Sequence, residues 1–523
     1  MEIIQDRAVL VNTRKPHLIT EVLSKATVVR QVPLPNGQTG STVAVPWNLR
    51  HTKILHNLGF KKVPSPITRR YDWPGFFRPF DHQITTAGFL TLNPRAFCLS
   101  EMGTGKTMSV IWASDYLIKT KVIKRVLIVA PLSILDTAWR ADLFKTAMHR
   151  KVDIAHGSAA KRRAVIASDA EYVIINYDGI EIVHKELMEA KFDLIVCDEA
   201  SALKNQQTKR WRLMNQLLRP ETWVWLMTGT PAAQSPDEAY GLAKLVNPQG
   251  VPRFYGSFRD QVMLKVSQFR YVPRPEAQQI VHKALQPAIR FTKEECLDLP
   301  ERTYVDREVP LTAQQAKYYE KLKQQLLVQA AGEEISAINA AVEMNKLLQI
   351  SSGAVYSDTG EVVEFDCTNR LNELVEIIQQ ASHKTLVFAN FTHSITTIQA
   401  FLSKYNITND TINGSVSLRK RSELVERFQR DNDIQVLVIQ PQAASHGITL
   451  HAANTVIWWS PIPSLEYYLQ ANDRVHRAGQ KNPCTVVHLM GSGVEKQMYK
   501  RLQGKKEDQE SLLAMYKNVI GLA

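Results

Sequence analysis

Two series of short, near-continuous apolar runs constrain the fold most. The first is Ala96–Leu99, Val126–Ala130, Tyr172–Asn176, Phe192–Cys197 and Trp223–Met227. The second is Lys384–Ala389, Gln435–Ile439, Thr455–Trp459 and Thr485–Leu489. They are rich in Val, Ile and Leu and do not alternate with polar residues, so each predicts a strand covered on both faces. Stretches of helical or loop character separate them. The expected class is α/β, two parallel-sheet lobes whose functional residues gather at the carboxyl ends of the strands. From about 236 to 366 the strand pattern lapses, and Gln314–Leu327 and Ile335–Ile350 predict long helices in an insertion. We expect an accessory module over 1–75, a first lobe over 76–290, and a second lobe over 291–523 with the insertion and C-terminal helices.

The first run breaks into Ser100-Glu-Met-Gly-Thr-Gly-Lys-Thr107, followed by a helical stretch from Met108 to Leu117. Strand, glycine-bearing turn and helix form the context of a phosphate-binding loop. Gly103 and Gly105 let the backbone curl until several N–H groups face one anion, and the helix N-terminus adds partial positive charge. Lys106 would reach the β/γ-phosphates, and the Thr107 hydroxyl would ligate Mg²⁺. Ser100 stands where this pattern usually has glycine. About twenty residues upstream, Gln83 could offer a donor and an acceptor to an adenine edge.

Polar groups follow the other strands of the first series: Pro131-Leu-Ser133, Asp198-Glu-Ala-Ser201 and Thr228-Gly-Thr-Pro231. Asp198 at a strand tip can hold Mg²⁺, and Glu199 can orient and deprotonate an attacking water. Such acidic pairs also serve as helix N-caps. The second series has no phosphate loop and carries Gln470-Ala-Asn-Asp-Arg-Val-His-Arg-Ala-Gly-Gln480 instead. If Gln470 starts a helical turn, Arg474 and Arg477 project from one face. Two guanidinium groups on one stripe suit a triphosphate supplied from the other lobe.

The formal net charge is +13 and the isoelectric point about 9.3, which favours a polyanionic partner, nucleic acid first. No long apolar stretch predicts a membrane span, and Met1-Glu-Ile-Ile-Gln-Asp6 lacks the pattern of a secretory signal. Five scattered cysteines without a CxxC pair suggest a reducing cytoplasm and no zinc site. Within 1–75, Lys61-Lys62 and Arg69-Arg70-Tyr71-Asp72-Trp73 form a Pro-bounded connector. Its basic and aromatic residues could grip a phosphate backbone or stack on a base, brace the first lobe, or form a solvated linker.

Taken in order, these motifs resemble helicase superfamily two, and within it the Swi/Snf-type double-stranded-DNA translocases. The resemblance runs from about Arg78 to Leu502. It includes Gln83, Glu101–Thr107, Leu127–Ser133, Asp198–Ser201, Leu203–Asn205, Thr228–Pro231, Leu386–Thr392, His446–Leu450 and Asp473–Gln480. Ser445 stands where the family usually has glycine, Thr449 where it has asparagine, and Ser460-Pro461-Ile462 near its usual Trp-Asn-Pro. The chain looks most like the compact bacterial and bacteriophage forms, or the core of fork-remodelling annealing helicases. The resemblance implies two RecA-like lobes closing on ATP and Mg²⁺, with Thr107 and Asp198 as metal ligands. It implies nucleotide contacts from Gln83, Gly103, Thr104, Gly105, Lys106, Thr107, Asp198 and Gly447. Glu199 would be the base, Arg477 the arginine finger and Arg474 its partner. Pro131, Ser133, Lys204, Asn205, Thr392, Gly447 and Thr449 would touch the backbone of duplex or forked DNA without reading sequence. A monomer in a bacterial or phage-infected cytoplasm is expected. The rival readings are a strand-separating DNA or RNA helicase and a non-hydrolysing DNA-binding scaffold.

Overall fold

The computed structural model describes residues 2–33, 39–232, 235–266, 271–296, 298–332, 337–356, 362–431, 433–444 and 448–504. They divide into two units, one up to Cys296 and one beyond it. The first unit begins with an antiparallel sheet of β1 (Glu2–Ile4), β2 (Ala8–Thr13), β3 (Thr27–Pro33) and β4 (Thr39–Pro46), ordered β1-β2-β4-β3. Val9, Val11, Val43 and Val45 sit at alternate positions and therefore share one face. That face is buried with Ile19, Trp47 and Leu55. The helix Leu49–Asn57 follows, its first turn capped by the Asn48 side chain, which accepts from the His51 N–H.

The main sheet of the first unit holds β5 (Arg95–Cys98), β6 (Val126–Ala130), β7 (Val152–Ile154), β8 (Tyr172–Asn176), β9 (Leu194–Cys197) and β10 (Trp223–Met227). A small antiparallel ribbon, β11 (Met263–Lys265) and β12 (Tyr271–Pro273), lies apart, and β13 (Ala288–Ile289) rejoins the main sheet. All seven strands are parallel, in the order β13-β5-β10-β9-β6-β8-β7. Alternation explains the layering: Val126, Ile128 and Ala130 enter one core while Leu127 and Val129 enter the other. Unbroken hydrophobicity is thus the signature of a sheet buried twice. The unit continues past residue 290 because its phosphate loop is tied there. The Ser100 hydroxyl accepts from the Phe291 N–H at 3.1 Å, and the Glu101 N–H donates to the Phe291 carbonyl at 2.9 Å.

The second unit contains β14 (Arg302–Glu308), β15 (Ala354–Tyr356), β16 (Val362–Glu364), β17 (Lys384–Phe388), β18 (Asn409–Ile412), β19 (Val436–Ile439), β20 (Ala453–Trp458) and β21 (Cys484–Met490). Its parallel sheet is ordered β14-β21-β20-β17-β19-β18. The long helices are Ala313–Gly332 and Ala337–Ser352. The edge strands β14 and β18 escape the pattern of apolar runs because one side of each is open and their residues are mostly polar. Inside this unit Arg370 and Glu495 form a buried two-pronged ion pair, 2.7 and 2.8 Å, and the Arg370 guanidinium also donates to the Trp459 carbonyl. Among the described residues no helix is long and apolar enough to cross a membrane, and all five cysteines are free.

The connector before the phosphate loop is a brace. Tyr71 is buried, its ring edge-on to Trp73 and Tyr116, and Trp73 packs edge-on to Trp112. The Tyr71 hydroxyl donates to the Asp115 carboxylate, which also accepts from Arg150 and contacts His149 at 3.0 Å. Burial first, and the Asp115 charge second, push the Tyr71 hydroxyl far above the usual tyrosine range. A ring buried in this way cannot stack on bases, so that reading is overturned for Tyr71, while Trp73 is partly buried against the same cluster.

Candidate active site

Four loops meet along one edge of the first sheet because β5, β10, β9 and β6 are consecutive and parallel. They are the phosphate loop after β5, Thr228–Pro231 after β10, Asp198–Ser201 after β9 and Pro131–Ser133 after β6. The helix Lys106–Lys119 starts from Gly105, whose φ of +75° joins that of Gly103, +85°, in the left-handed region. Glycine is required at 105 for space as well: a Cβ there would lie 2.1 Å from Gln83 Nε2. Lys106 Nζ donates to the carbonyls of Ser100 at 2.6 Å and Glu101 at 3.0 Å, and the Thr104 hydroxyl donates to Glu101 O at 2.9 Å. Lys106 is therefore parked against its own loop. Thr107 lies partly buried in the first turn beside it.

Gln83 places its amide against the phosphate loop. It is buried, its oxygen accepts from the Phe80 N–H at 2.9 Å, and its nitrogen donates to Gly105 O at 3.3 Å. Each end thus makes one bond that holds the helix entry against the loop. His82, which motif reasoning passed over, does similar work, with Nε2 2.8 Å from the Thr104 carbonyl and its ring stacked on Phe80.

Asp198 extends the β9 ladder by donating its N–H to Val129 O, and its carboxylate accepts from the Trp139 indole at 2.9 Å. The other carboxylate oxygen accepts from the Glu199 N–H at 2.9 Å, and the Asp198 carbonyl accepts from the Tyr177 hydroxyl at 2.7 Å. Burial pushes the Asp198 carboxyl up, opposed by the Lys106 ammonium and the Trp139 indole. Glu199 sits at φ +48°, a left-handed conformation costly for a residue with a Cβ. That turn directs the backbone into the short helical turn Ala200–Leu203. A raised, partly buried carboxylate near the Thr107 loop is an oxygen-only donor set, which fits a hard cation that keeps several waters. Trp139 carried no signal in sequence, since a fully buried tryptophan looks like core.

In the second unit the helix Leu465–Asn472 ends before the arginines. Arg474 and Arg477 therefore lie on the following turn, not on a helical stripe. At the helix end Asn472 Oδ1 accepts from the buried Trp458 indole at 2.9 Å, and Asp473 pairs with Arg302 at 3.1 Å. The turn nevertheless brings both guanidinium groups onto one carbonyl, Ile448 O, at 3.3 Å from Arg474 and 3.2 Å from Arg477. Arg474 is buried and Arg477 is partly exposed, so of the two Arg477 is the one able to reach outward. Gln480 secures the turn by donating to the carbonyls of His451, Ala453 and Val475.

The remaining candidates separate. Pro131 and Ser133 flank a short turn at the tip of β6, and Asn205 is exposed, its side-chain oxygen accepting from the Gln207 N–H. Thr392 is exposed in the first turn of the helix Thr392–Lys404, and Thr449 is partly buried beside Ile448. The Lys204 ammonium pairs with Glu238 at 2.6 Å, and its carbonyl leaves no room for a Cβ at Gly241. It braces the loop. Gly447, like Ser445 and His446, lies outside the described residues.

Two parallel-sheet lobes, the first carrying a phosphate loop beside an acidic strand tip, define a helicase-like ATPase. Residues 94–356 match the SNF2-related domain and residues 369–479 the helicase conserved C-terminal domain. The chain belongs to the SNF2-related family. It is 27% identical over 486 residues to a Caenorhabditis elegans homologue of the SWI/SNF-related matrix-associated actin-dependent regulator of chromatin subfamily A-like protein 1, covering 90% of this chain and 65% of the relative. It is 27% identical over 485 residues to a putative ATP-dependent helicase/translocase of Bacillus subtilis, covering 88% and 50%. An uncharacterized ATP-dependent helicase of Mycoplasma genitalium is 26% identical over 422 residues, covering 78% and 39%. The chain thus spans between 39% and 65% of the length of these relatives. Among solved structures, the Sulfolobus solfataricus SWI2/SNF2 ATPase core in complex with dsDNA is 21% identical, covering 86% of this chain and 96% of that one, with a TM-score of 0.42.

Proposed function

We propose that the protein is a Mg²⁺-dependent ATPase that converts hydrolysis into movement along duplex DNA, acting as a monomer. The observation that carries the reading is the meeting of the phosphate loop, the Asp198–Glu199 tip and the Thr228–Pro231 loop on one sheet edge. On binding, Lys106 exchanges the Ser100 and Glu101 carbonyls for phosphate oxygens, and the N–H groups around Gly103 and Gly105 cradle the anion. Thr107 and Asp198 would hold the Mg²⁺ ion, which would supply positive charge beside the phosphates. Glu199 orients the attacking water and takes its proton. Arg477, released from Ile448 O, answers the charge that develops on the transferred phosphoryl group, and Arg474 keeps that turn in place. Ser133, Asn205, Thr392 and Thr449 contribute hydroxyl and amide contacts to the DNA backbone.

The test is ATPase activity with duplex, single-stranded and forked DNA, alongside a strand-displacement assay. Duplex DNA is expected to stimulate turnover without separating strands. Arg477→Ala is expected to lose about a thousandfold in turnover while still binding ATP. Near-normal hydrolysis by that variant, or indifference of the unaltered protein to every DNA, overturns the reading.

A further inference from the structure

Residues 1–75 hold eleven Lys and Arg against four Asp and Glu, a net +7 of the chain's +13. More than half of the excess charge thus sits in a seventh of the chain, and none of it belongs to the nucleotide site. Four of these residues sit at one end of the antiparallel sheet or on the segments packed there. The Trp47 N–H donates to Arg7 O at 2.8 Å, and the Arg70 guanidinium donates to Trp47 O at 2.5 Å. Arg50 lies three residues on, in the first turn of the helix Leu49–Asn57. Arg69 is 3.5 Å from Asp6, in an open pair worth little. Arg7, Arg50, Arg69 and Arg70 are all exposed. Among the described residues, the Arg69–Asp6 contact is the only ion pair made by a basic side chain of this module.

Like charges are not concentrated in this way without cost, since exposed guanidinium groups that lack counter-ions repel one another. Of the large apolar side chains around them, Trp47, Leu49 and Tyr71 are buried and Ile4, beside Arg7, is exposed, so the charges outweigh the one apolar side chain this surface offers. Guanidinium is planar, permanently charged and multidentate, which matches phosphate oxygens. The module is also held firmly to the first sheet. Lys53 lies over the Trp223 ring at 4.2 Å, and the Trp112 indole donates to Pro74 O at 3.0 Å.

We propose that Arg7, Arg50, Arg69 and Arg70 form a second contact surface for the phosphate backbone of duplex DNA, separate from the strand-tip loops and independent of the nucleotide state. The proposal rests on the translocase reading for its choice of polyanion. It replaces stacking by Tyr71, which burial excludes, with contacts that are purely ionic.

The experiment compares the unaltered full chain with Arg7→Ala/Arg50→Ala/Arg69→Ala, leaving Arg70 in place because it ties Trp47. A control replaces three other exposed bases of the first unit, Lys161, Lys185 and Lys191, with Ala. Binding of a fluorescent duplex DNA is measured without nucleotide over a range of salt concentrations. The slope of log K against log salt should fall by about 2 to 3 in the arginine variant, at about 0.9 per lost contact. Affinity at low salt should fall about tenfold or more. DNA-free ATPase and melting temperature should stay as in the unaltered protein, and the control should keep its slope. An unchanged slope, or an equal loss in the control, overturns the proposal, and the surface would then be one for an acidic protein or for none. If the unaltered protein neither binds duplex DNA nor responds to it, the translocase reading falls and this inference with it. If it responds and the arginine variant matches it, the inference alone falls.

Discussion

The two ends of the first sheet use the same kinds of residue in opposite ways. At the carboxyl ends of β5, β9 and β6, polar groups are left in costly settings: Asp198 is pushed up by burial, Glu199 is left-handed, and Lys106 is bonded only to loop carbonyls. At the amino ends, Asp115 is buried as well, yet Tyr71, Arg150 and His149 surround it, and Arg150 goes on to Glu171 at 2.7 Å. A buried carboxylate satisfied by a guanidinium, a phenol and an imidazole is a fixed structural joint. Asp198, which accepts hydrogen bonds from an indole and one amide and faces the Lys106 ammonium without a described hydrogen bond to it, keeps capacity for a further ligand. The lesson is that burial alone does not mark a functional carboxylate; the completeness of its partners does.

The comparison breaks if substitutions at the two ends have the same consequences. The largest effect should come from Glu199→Gln, which removes the base but keeps the shape. Turnover is expected to fall by about two to four powers of ten with ATP binding and melting temperature retained. A variant that hydrolyses ATP normally would assign the proton to another group. Next comes Trp139→Phe, which deletes the indole donor to Asp198 without emptying the core. A supporting group of this kind is worth about 10–100-fold in metal affinity or activity, and a titration of ATPase rate against Mg²⁺ should show it. If only the melting temperature moves, Trp139 belongs with the structural residues.

At the other end, Tyr71→Phe should leave turnover untouched and lower the melting temperature by about 4 °C, corresponding to roughly 2 kcal/mol for a hydrogen bond to a buried charge. Loss of activity with an unchanged melting temperature would erase the distinction between the ends. The smallest effect concerns Lys53, whose ammonium is held down to about 8 by burial against Trp223. Because this value lies below that of the unfolded chain, the unfolded state binds more protons between about pH 8 and 10.5, and stability rises with pH through that window. Lys53→Met should therefore raise the melting temperature by about 1 °C at pH 7, with the gain disappearing above about pH 10. A cation–π attraction of about 0.5–1 kcal/mol works against this. A lower melting temperature at pH 7 would mean that the ring attraction exceeds the burial penalty.

The sequence by itself determined what depends on near neighbours. Unbroken apolar runs require strands buried on both faces, and Gly103 and Gly105 before Lys106 require a left-handed turn into a helix. Asp198 and Glu199 directly after a strand place two carboxylates at its tip. Each inference spans only a few residues, over which backbone geometry is set by sterics and side-chain period. Tertiary structure decided which partner each polar group finds, because those partners are remote in sequence and periodicity carries nothing about them. Trp139 meets Asp198 across 59 positions, Ser100 meets Phe291 across 191, and Tyr71 meets Asp115 across 44. The same remoteness gives Gln83 its bond to Gly105 O and Lys204 its pairing with Glu238. It also sets Asn472 at a helix end against the Trp458 indole, with Arg474 buried and Arg477 partly exposed on the turn that follows.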